Sequence, residues 1–149
     1  MPIGEICNRE VFIVQRDTTV QEAAQLMRQH HVGALVVVQE VSGKRKPVGL
    51  VTDRDLVVEV LATQLDAGTI TVGDIMLPEL VTVPESSGVF EAIQFMRAKA
   101  VRRLPVVDGQ GALIGIVALD DLLSLLAEEL SELSVLVSRE QAKESRGRR

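Results

Sequence analysis

Polar groups follow directly on a short apolar run in the segment VGLVTDRDL, residues 48–56. The apolar run predicts a buried strand, and the charged residues after it predict the start of a helix. There Thr52 or Asp53 could cap the helix, because their side-chain oxygens accept hydrogen bonds from its free N–H groups, and Asp55 in the first turn would interact favourably with the helix dipole. The same position suits a ligand: helix N–H groups bind anions, and a carboxylate accepts hydrogen bonds from two neighbouring ribose hydroxyls. Both interpretations stay open for Thr52 and Asp55.

A second candidate group is the pair Arg102 and Arg103, which precedes the apolar run LPVV. Arginine at the start of a buried strand is costly unless it faces a cavity, solvent or an anion. A guanidinium binds phosphate through two parallel hydrogen bonds. The pair therefore indicates either a phosphate contact or two surface arginines that pair with acidic side chains.

An internal repeat relates the two groups. Residues 20–39 align with residues 89–108 at a spacing of 69 residues, and VGLVTDRDL aligns with IGIVALDDL at a spacing of 66. The three-residue difference lies in a polar segment, QEVSGKRKPV against DGQGALI, which predicts a hairpin turn of variable length. The copies differ where a ligand could bind: Ala118 replaces Thr52, and Gly33–Ala34 replace the two arginines.

Each copy predicts helix, strand, turn, strand and helix. Apolar residues recur at helical spacing from Val20, and Thr18 or Thr19 can cap that helix. The runs ALVVV and VGLV predict strands buried on both faces, because their apolar character is continuous. A second helix is predicted to end around Gly68. In the second copy the same elements are predicted at about residues 87–99, 104–107, 113–117 and from 119 onward.

Leucines at helical spacing continue beyond the second copy and predict a long final helix. The stripe consists of Leu122, Leu125, Leu126, Leu130, Leu133 and Val137. Such a stripe needs a partner surface, and the sequence favours neither core packing nor a dimer contact. The last seven residues, KESRGRR, are expected to form a solvated basic tail, with a weak contact to an anionic partner as the alternative.

Composition narrows the function classes. The 149 residues are 46% hydrophobic and include no Trp or Tyr, which predicts a globular chain with an aliphatic core. A net charge of −5 disfavours nucleic-acid binding. The single cysteine, Cys7, excludes a disulfide within the chain. The sequence has no signal-peptide pattern and no run of about 20 apolar residues, so we expect a cytoplasmic protein without a membrane contact.

Signatures of catalysis and metal binding are missing from the sequence. It contains no Walker A motif, no G-x-S-x-G and no H-E-x-x-H. His30 and His31 are adjacent at a predicted helix end and face different ways, which disfavours a shared metal ion. We therefore expect neither an enzyme nor a metal site.

Together these segments resemble the cystathionine-β-synthase (CBS) domain family. The resemblance covers about residues 3–127 and rests on EAAQLMRQHHVGALVVV, VGLVTDRDL, TVGDIM, EAIQFMRAKAVRRLPVVD and GALIGIVALDDLL. It implies an α/β fold of two β-α-β-β-α repeats related by pseudo-two-fold symmetry, often called a Bateman module. The expected boundaries are residues 3–68 for the first repeat, 69–127 for the second, and 128–149 for a C-terminal helical extension with the basic tail.

The resemblance also implies two ligand clefts between the repeats. CBS pairs commonly bind adenosine-containing ligands, and Gly49, Thr52 and Asp55 meet the family's ribose motif in full. In the second repeat Gly115 and Asp121 are present, but the hydroxyl is lost at position 118. We therefore expect one good nucleotide site and a degraded second site at Asp121.

Phosphate and base contacts follow from the same resemblance. The phosphate contacts come from the opposite repeat, here Arg102 and Arg103, and Arg54 is a further candidate. The residues expected beside the base are Cys7, Gly33, Ala34 and Leu50.

The function that this resemblance implies is regulation. The expected protein is a stand-alone module that senses AMP, ADP, ATP or S-adenosylmethionine, requires no cofactor, forms a homodimer and signals to an effector protein. The alternative is a dimerisation or adaptor protein that works without a ligand.

Overall fold

The computed structural model describes residues 1–77 and 79–147. The first copy contains α1 (Ile3–Ile6), β1 (Ile13–Val14), α2 (Val20–His30), β2 (Ala34–Val41), β3 (Lys44–Thr52) and α3 (Asp53–Leu56), which continues as a π-helical segment at Val57–Leu61. The second contains α4 (Val72–Ile75), β4 (Val83–Pro84), α5 (Val89–Lys99), β5 (Arg103–Val107), β6 (Leu113–Ala118) and α6 (Leu119–Gly147). Apart from the short helices α1 and α4, both copies follow the expected order of strand, helix, strand, strand and helix.

Each copy forms its own three-stranded sheet. In the first sheet β1 pairs with β2 in parallel, and β2 pairs with β3 antiparallel. In the second sheet the order is β4, β5, β6, and β4 again pairs with β5 in parallel. The α/β class predicted from the sequence is confirmed.

The core is aliphatic, as the composition predicts. Residues 35–38 of β2 are all buried, which agrees with their continuous apolar character. Helix α2 adds Ala23 and Met27, which lie one turn apart on the same helix face. The buried cluster of the first copy consists of Val14, Ala23, Met27, Leu35, Val37, Val51 and Val72.

The ends of α2 obey local rules. The Glu22 N–H donates a hydrogen bond of 3.1 Å to Thr19 Oγ1, so Thr19 rather than Thr18 is the N-cap. His31 ends the helix in the left-handed conformation, with φ 53°. Ala100, the residue at the aligned position, ends α5 in the same way with φ 55°. The repeat therefore extends to the backbone conformation of its helix ends.

The prediction of a long polar turn between β2 and β3 is wrong. The strands run to Val41 and from Lys44, so only Ser42 and Gly43 connect them, with φ 55° and 77°. Two positive φ angles are what a tight type I′ hairpin requires. The strand ends were not predicted from the sequence, because Gln39–Val41 lie beyond the core, are exposed and are mostly polar. The three extra residues therefore lengthen the strands instead of the turn.

Two further boundaries differ from the predictions. The helix that follows β3 ends at Leu61 and not near Gly68, and turns follow it. At the C-terminus Lys143–Gly147 belong to α6, so this part of the expected basic tail is helical. Arg148 and Arg149 lie outside the described residues.

The start of each copy is bonded to the other copy. The Ile3 N–H donates to the Ser87 carbonyl at 2.7 Å, and the Val72 N–H donates to the Thr18 carbonyl at 2.8 Å. The next residues repeat the pattern: Gly4 donates to Glu85 at 3.0 Å, and Gly73 donates to Arg16 at 2.9 Å. Donors and acceptors occupy aligned positions in the repeat, as pseudo-two-fold symmetry requires.

Packing divides the chain into two compact units, Met1–Val117 and a second unit that begins at Ala118. The second unit is helix α6, of 29 residues. Several apolar residues of its predicted stripe are exposed, with 68% of Leu130 and 58% of Leu133 accessible. No helix in the described part of the chain is long and apolar enough to cross a membrane.

Candidate functional site

Thr52 and Asp55 form a reciprocal cap at the start of α3. The Asp55 N–H donates to Thr52 Oγ1 at 3.2 Å, and the Thr52 N–H donates to Asp55 Oδ2 at 2.8 Å. This is a capping box, which satisfies N–H groups that the first turn leaves without partners. The aligned carboxylate acts in the same way, because the Ala118 N–H donates to Asp121 Oδ2 at 3.1 Å. Helix capping thus explains an aspartate in both copies.

A cavity of about 250 Å³ lies beside this cap. Its described lining comes from three parts of the chain: the end of β3 with its cap, the segment after α4, and the start of β5. The lining residues are Leu50, Thr52, Asp55, Leu77, Glu79, Leu80, Val81, Val101, Arg102, Arg103 and Pro105. The structure therefore brings together five of the predicted site residues: Leu50, Thr52, Asp55, Arg102 and Arg103.

The cavity combines acidic, basic and apolar surfaces. Thr52 and Asp55 are half-buried and come from the first copy, whereas the half-buried Arg103 and the exposed Arg102 come from the second. The remaining lining is apolar except for the exposed Glu79. Such a site can hold a molecule that combines an apolar body with hydroxyl groups and an anionic group.

Gly33 lies next to the charged groups and not in the cavity lining. A Cβ atom added to Gly33 would come within 3.1 Å of Asp53 Oδ2 and 3.6 Å of Arg103 Nη2. The missing side chain therefore leaves space for the Asp53 carboxylate, whereas the distance to the Arg103 guanidinium would be an ordinary van der Waals contact. Ala34 begins β2 and pairs with Thr52 across the sheet.

Cys7 lies away from this cavity. Its Sγ would be 2.6 Å from a Cβ atom added to Gly115, and Met76 Sδ makes the equivalent approach to Gly49. Cys7 and Met76 are aligned in the repeat, so residues that follow Met76, and not Cys7, line the cavity beside Asp55. Burial raises the pKa of the Cys7 thiol, and the charge of Arg9 opposes this shift.

The remaining predicted residues also lie elsewhere. Arg54 is exposed and is not among the described residues that line the cavity, although it lies between the two capping residues in the chain. Asp121 is exposed at the start of α6. The sequence interpretation missed Leu77, Glu79–Val81 and Val101. Strict use of the repeat would have found Leu77 and Glu79–Val81, because the same alignment that pairs Cys7 with Met76 points to the residues after α4.

Other concave surfaces offer less chemistry. A shallow concavity of about 480 Å³ runs between β1 and α2, and its described lining includes Glu22 but no cation. His30 stacks on Phe12, with ring centroids 4.0 Å apart. Among the described residues, no three His, Cys, Asp or Glu side chains are grouped so that they could hold a metal ion.

Comparison with known proteins agrees with this architecture. The family model described as CBS domain matches residues 3–62 and again residues 72–128. The CBS domain-containing protein YhcV of Bacillus subtilis is 43% identical over 120 residues, which cover 80% of this chain and 81% of that protein. An uncharacterized protein of Methanopyrus kandleri is 39% identical over 123 residues, which cover 83% of this chain but only 61% of that protein.

Solved structures show the same fold. A putative signal-transduction protein with CBS domains from Burkholderia ambifaria superposes with a TM-score of 0.72 at 29% identity, over 85% of this chain and 93% of that one. CBSX2, solved in complex with AMP, superposes with a TM-score of 0.70 at 27% identity. The superposition covers 85% of this chain and 96% of that one. The CBS domain pair solved with 5-methylthioadenosine and S-adenosyl-L-methionine superposes with a TM-score of 0.74 at 24% identity. The superposition covers 87% of this chain and 98% of that one, and at this identity it supports the fold alone.

CBS domain pairs are regulatory modules, and the two matches here are consecutive along one chain. The repeated order of elements, the two separate sheets and the reciprocal bonds between the copies agree with these matches. The chain belongs to the CBS domain family and carries two CBS domains in tandem.

Proposed function

We propose that this protein is a regulatory module that binds an adenosine-containing ligand in the cavity beside the α3 cap. One observation carries the proposal: a single cavity contains the hydroxyl and carboxylate of Thr52 and Asp55 together with the guanidinium groups of Arg102 and Arg103. The ribose hydroxyls would donate to Asp55, the phosphate would meet the arginines, and the apolar residues of the lining would hold the base.

The relatives support this choice of ligand. CBSX2 was solved with AMP and is 27% identical to this chain over most of its length. Adenosine supplies the three features that the cavity can contact, namely a flat ring, two adjacent hydroxyls and a 5′ position that can carry a phosphate. The ligands proposed are AMP, ADP, ATP and S-adenosylmethionine, bound as signals and not as cofactors.

Ligand binding would regulate by joining the two copies. Thr52 and Asp55 belong to the first copy and the arginines to the second, so a ligand in contact with both changes the free energy of their relative packing. A ligand shifts such an equilibrium only by its difference in affinity for the two arrangements. The homodimer and an effector protein in the cytoplasm would respond to this change in packing.

The test is calorimetry with AMP, ATP and S-adenosylmethionine on the full chain and on Asp55→Asn. Asparagine keeps an oxygen for the Thr52 N–H but loses the charge, so the fold survives while binding weakens by about 1.5–3 kcal/mol. Asp121→Asn is the matched control, because it changes the aligned capping residue. Equal binding by the parent and Asp55→Asn would contradict the site assignment.

A second candidate function is dimerisation or adaptor activity without a ligand. The exposed leucines of α6 favour it, because long apolar stripes are usually covered by a partner. Thermal unfolding separates the two functions. A true ligand at 100 times its dissociation constant stabilises the protein by about 2.7 kcal/mol, whereas a ligand-independent protein shows no shift with any adenine compound.

A further inference from the structure

We propose that the cavity accepts an adenosine ligand with no more than one phosphate, and that Glu79 is the residue that sets this limit. The inference rests on the proposed function and specifies its ligand class. It is carried by the balance of charges in the cavity, by their depth and by the cavity's volume.

The charged groups of the cavity cancel. Its described lining contains two carboxylates, Asp55 and Glu79, and two guanidinium groups, Arg102 and Arg103. A phosphate monoester carries about two negative charges at neutral pH, and each further phosphate adds more. Two arginines can balance one phosphate. Because two carboxylates share the same cavity, each phosphate beyond the first adds negative charge for which the described lining has no further cation.

The depth of these groups gives the cavity a direction. Arg103 and Asp55 are half-buried, whereas Arg102 and Glu79 are exposed, which indicates that the latter two lie nearer to solvent. With the ribose at Asp55, a first phosphate would meet the deeper Arg103. A second or third phosphate would extend toward the opening, where the Glu79 carboxylate repels it and competes for Arg102.

The size of the cavity points the same way. Its volume of about 250 Å³ is below the range of roughly 300–1,000 Å³ that is usual for ligand pockets. A cavity of this size leaves little room for a polyphosphate chain, which would have to extend into solvent. Charge and volume therefore both favour AMP over ADP and ATP.

The experiment is calorimetry of adenosine, AMP, ADP and ATP on the full chain, on Glu79→Gln and on Glu10→Gln, in the absence of Mg²⁺. Glu10 is also exposed but is not part of the cavity, so Glu10→Gln is matched in net charge. The parent should bind AMP more tightly than ATP. Glu79→Gln should improve ATP affinity about two- to fivefold, the size of an exposed charge interaction, and leave adenosine unchanged; Glu10→Gln should change neither.

Two results would overturn the inference and leave the proposed function standing: ATP binding at least as tightly as AMP in the parent, or Glu79→Gln changing all four affinities equally. If none of the four compounds binds, the proposed function fails, and the inference fails with it. Because Glu79 is exposed, its replacement by glutamine should not disturb folding, which an unchanged unfolding transition verifies.

Discussion

Thr52 and Asp55 have a structural role that does not depend on any ligand. Each side chain accepts a hydrogen bond from the other's backbone N–H, at 3.2 and 2.8 Å. The cap leaves each side chain half-buried and on the cavity wall. A residue that caps a helix and is also proposed to bind a ligand must be tested for both effects separately.

Thr52→Ala and Thr19→Ala make that separation. Both remove an N-cap oxygen that accepts a hydrogen bond, at 3.2 Å in one helix and 3.1 Å in the other. We expect each to lower the free energy of unfolding by about 0.5–2 kcal/mol in chemical denaturation. Only Thr52→Ala should also weaken AMP binding. If both substitutions weaken it equally, Thr52 acts through stability alone.

A charged side chain stabilises the turn between strands β5 and β6. The Asp108 carboxylate accepts hydrogen bonds from the backbone N–H groups of Gln110 at 2.8 Å and Ala112 at 3.0 Å, which close the turn between β5 and β6. Both bonds hold the pKa of Asp108 below its usual value of 3.8, and the bond from Ala112 has the larger effect. The turn is therefore most stable when Asp108 is ionised.

The sign of the resulting pH dependence follows. A carboxylate whose pKa is lowered by folding stabilises the fold above its unfolded pKa, and this contribution is lost as the pH falls through the folded pKa. We expect the free energy of unfolding to fall below about pH 4, and to fall less steeply in Asp108→Asn. Gln110→Ala keeps the backbone donor and serves as the control. Equal slopes in the parent and Asp108→Asn would contradict this.

In the unit formed by Met1–Val117, the two copies are joined by reciprocal backbone bonds. Gly4 and Gly73 lie where these bonds join the two copies. A side chain at either position would contact the opposite copy. A Cβ atom would approach Glu85 Cβ to 2.8 Å at Gly4, and the Arg16 carbonyl oxygen to 2.9 Å at Gly73. Glycine at both aligned positions is thus explained by close approach of the two copies.

Gly4→Ala and Gly73→Ala should therefore cost similar amounts. We expect each to lower the free energy of unfolding by about 1–3 kcal/mol, as overpacking does. Gly109→Ala is the control, since nothing lies within 4 Å of its added Cβ. The measurement is urea denaturation, and a neutral effect at either junction would show that the copies can separate there without loss of stability.

Local rules account for what could be predicted. Helical spacing and Thr19 located α2, and continuous valines located β2, because periodicity and capping depend on a few neighbouring residues. The polar strand ends around Ser42 and Gly43 were missed, since their pairing continues beyond the core and leaves no apolar pattern. The helical structure of Lys143–Gly147 was also missed, since this segment likewise has no apolar pattern.

The sequence by itself determined the repeat, the order of its elements and the aliphatic core, and it singled out Asp55 and the arginine pair, which line one cavity. Only the tertiary structure decided that Cys7 lies against Gly115, that Gly33 makes room for the Asp53 carboxylate, and that Leu77 and Glu79–Val81 complete the wall. The physical reason is that these contacts join segments far apart in the chain. Their neighbours are set by the reciprocal bonds between the two copies, which no local pattern encodes.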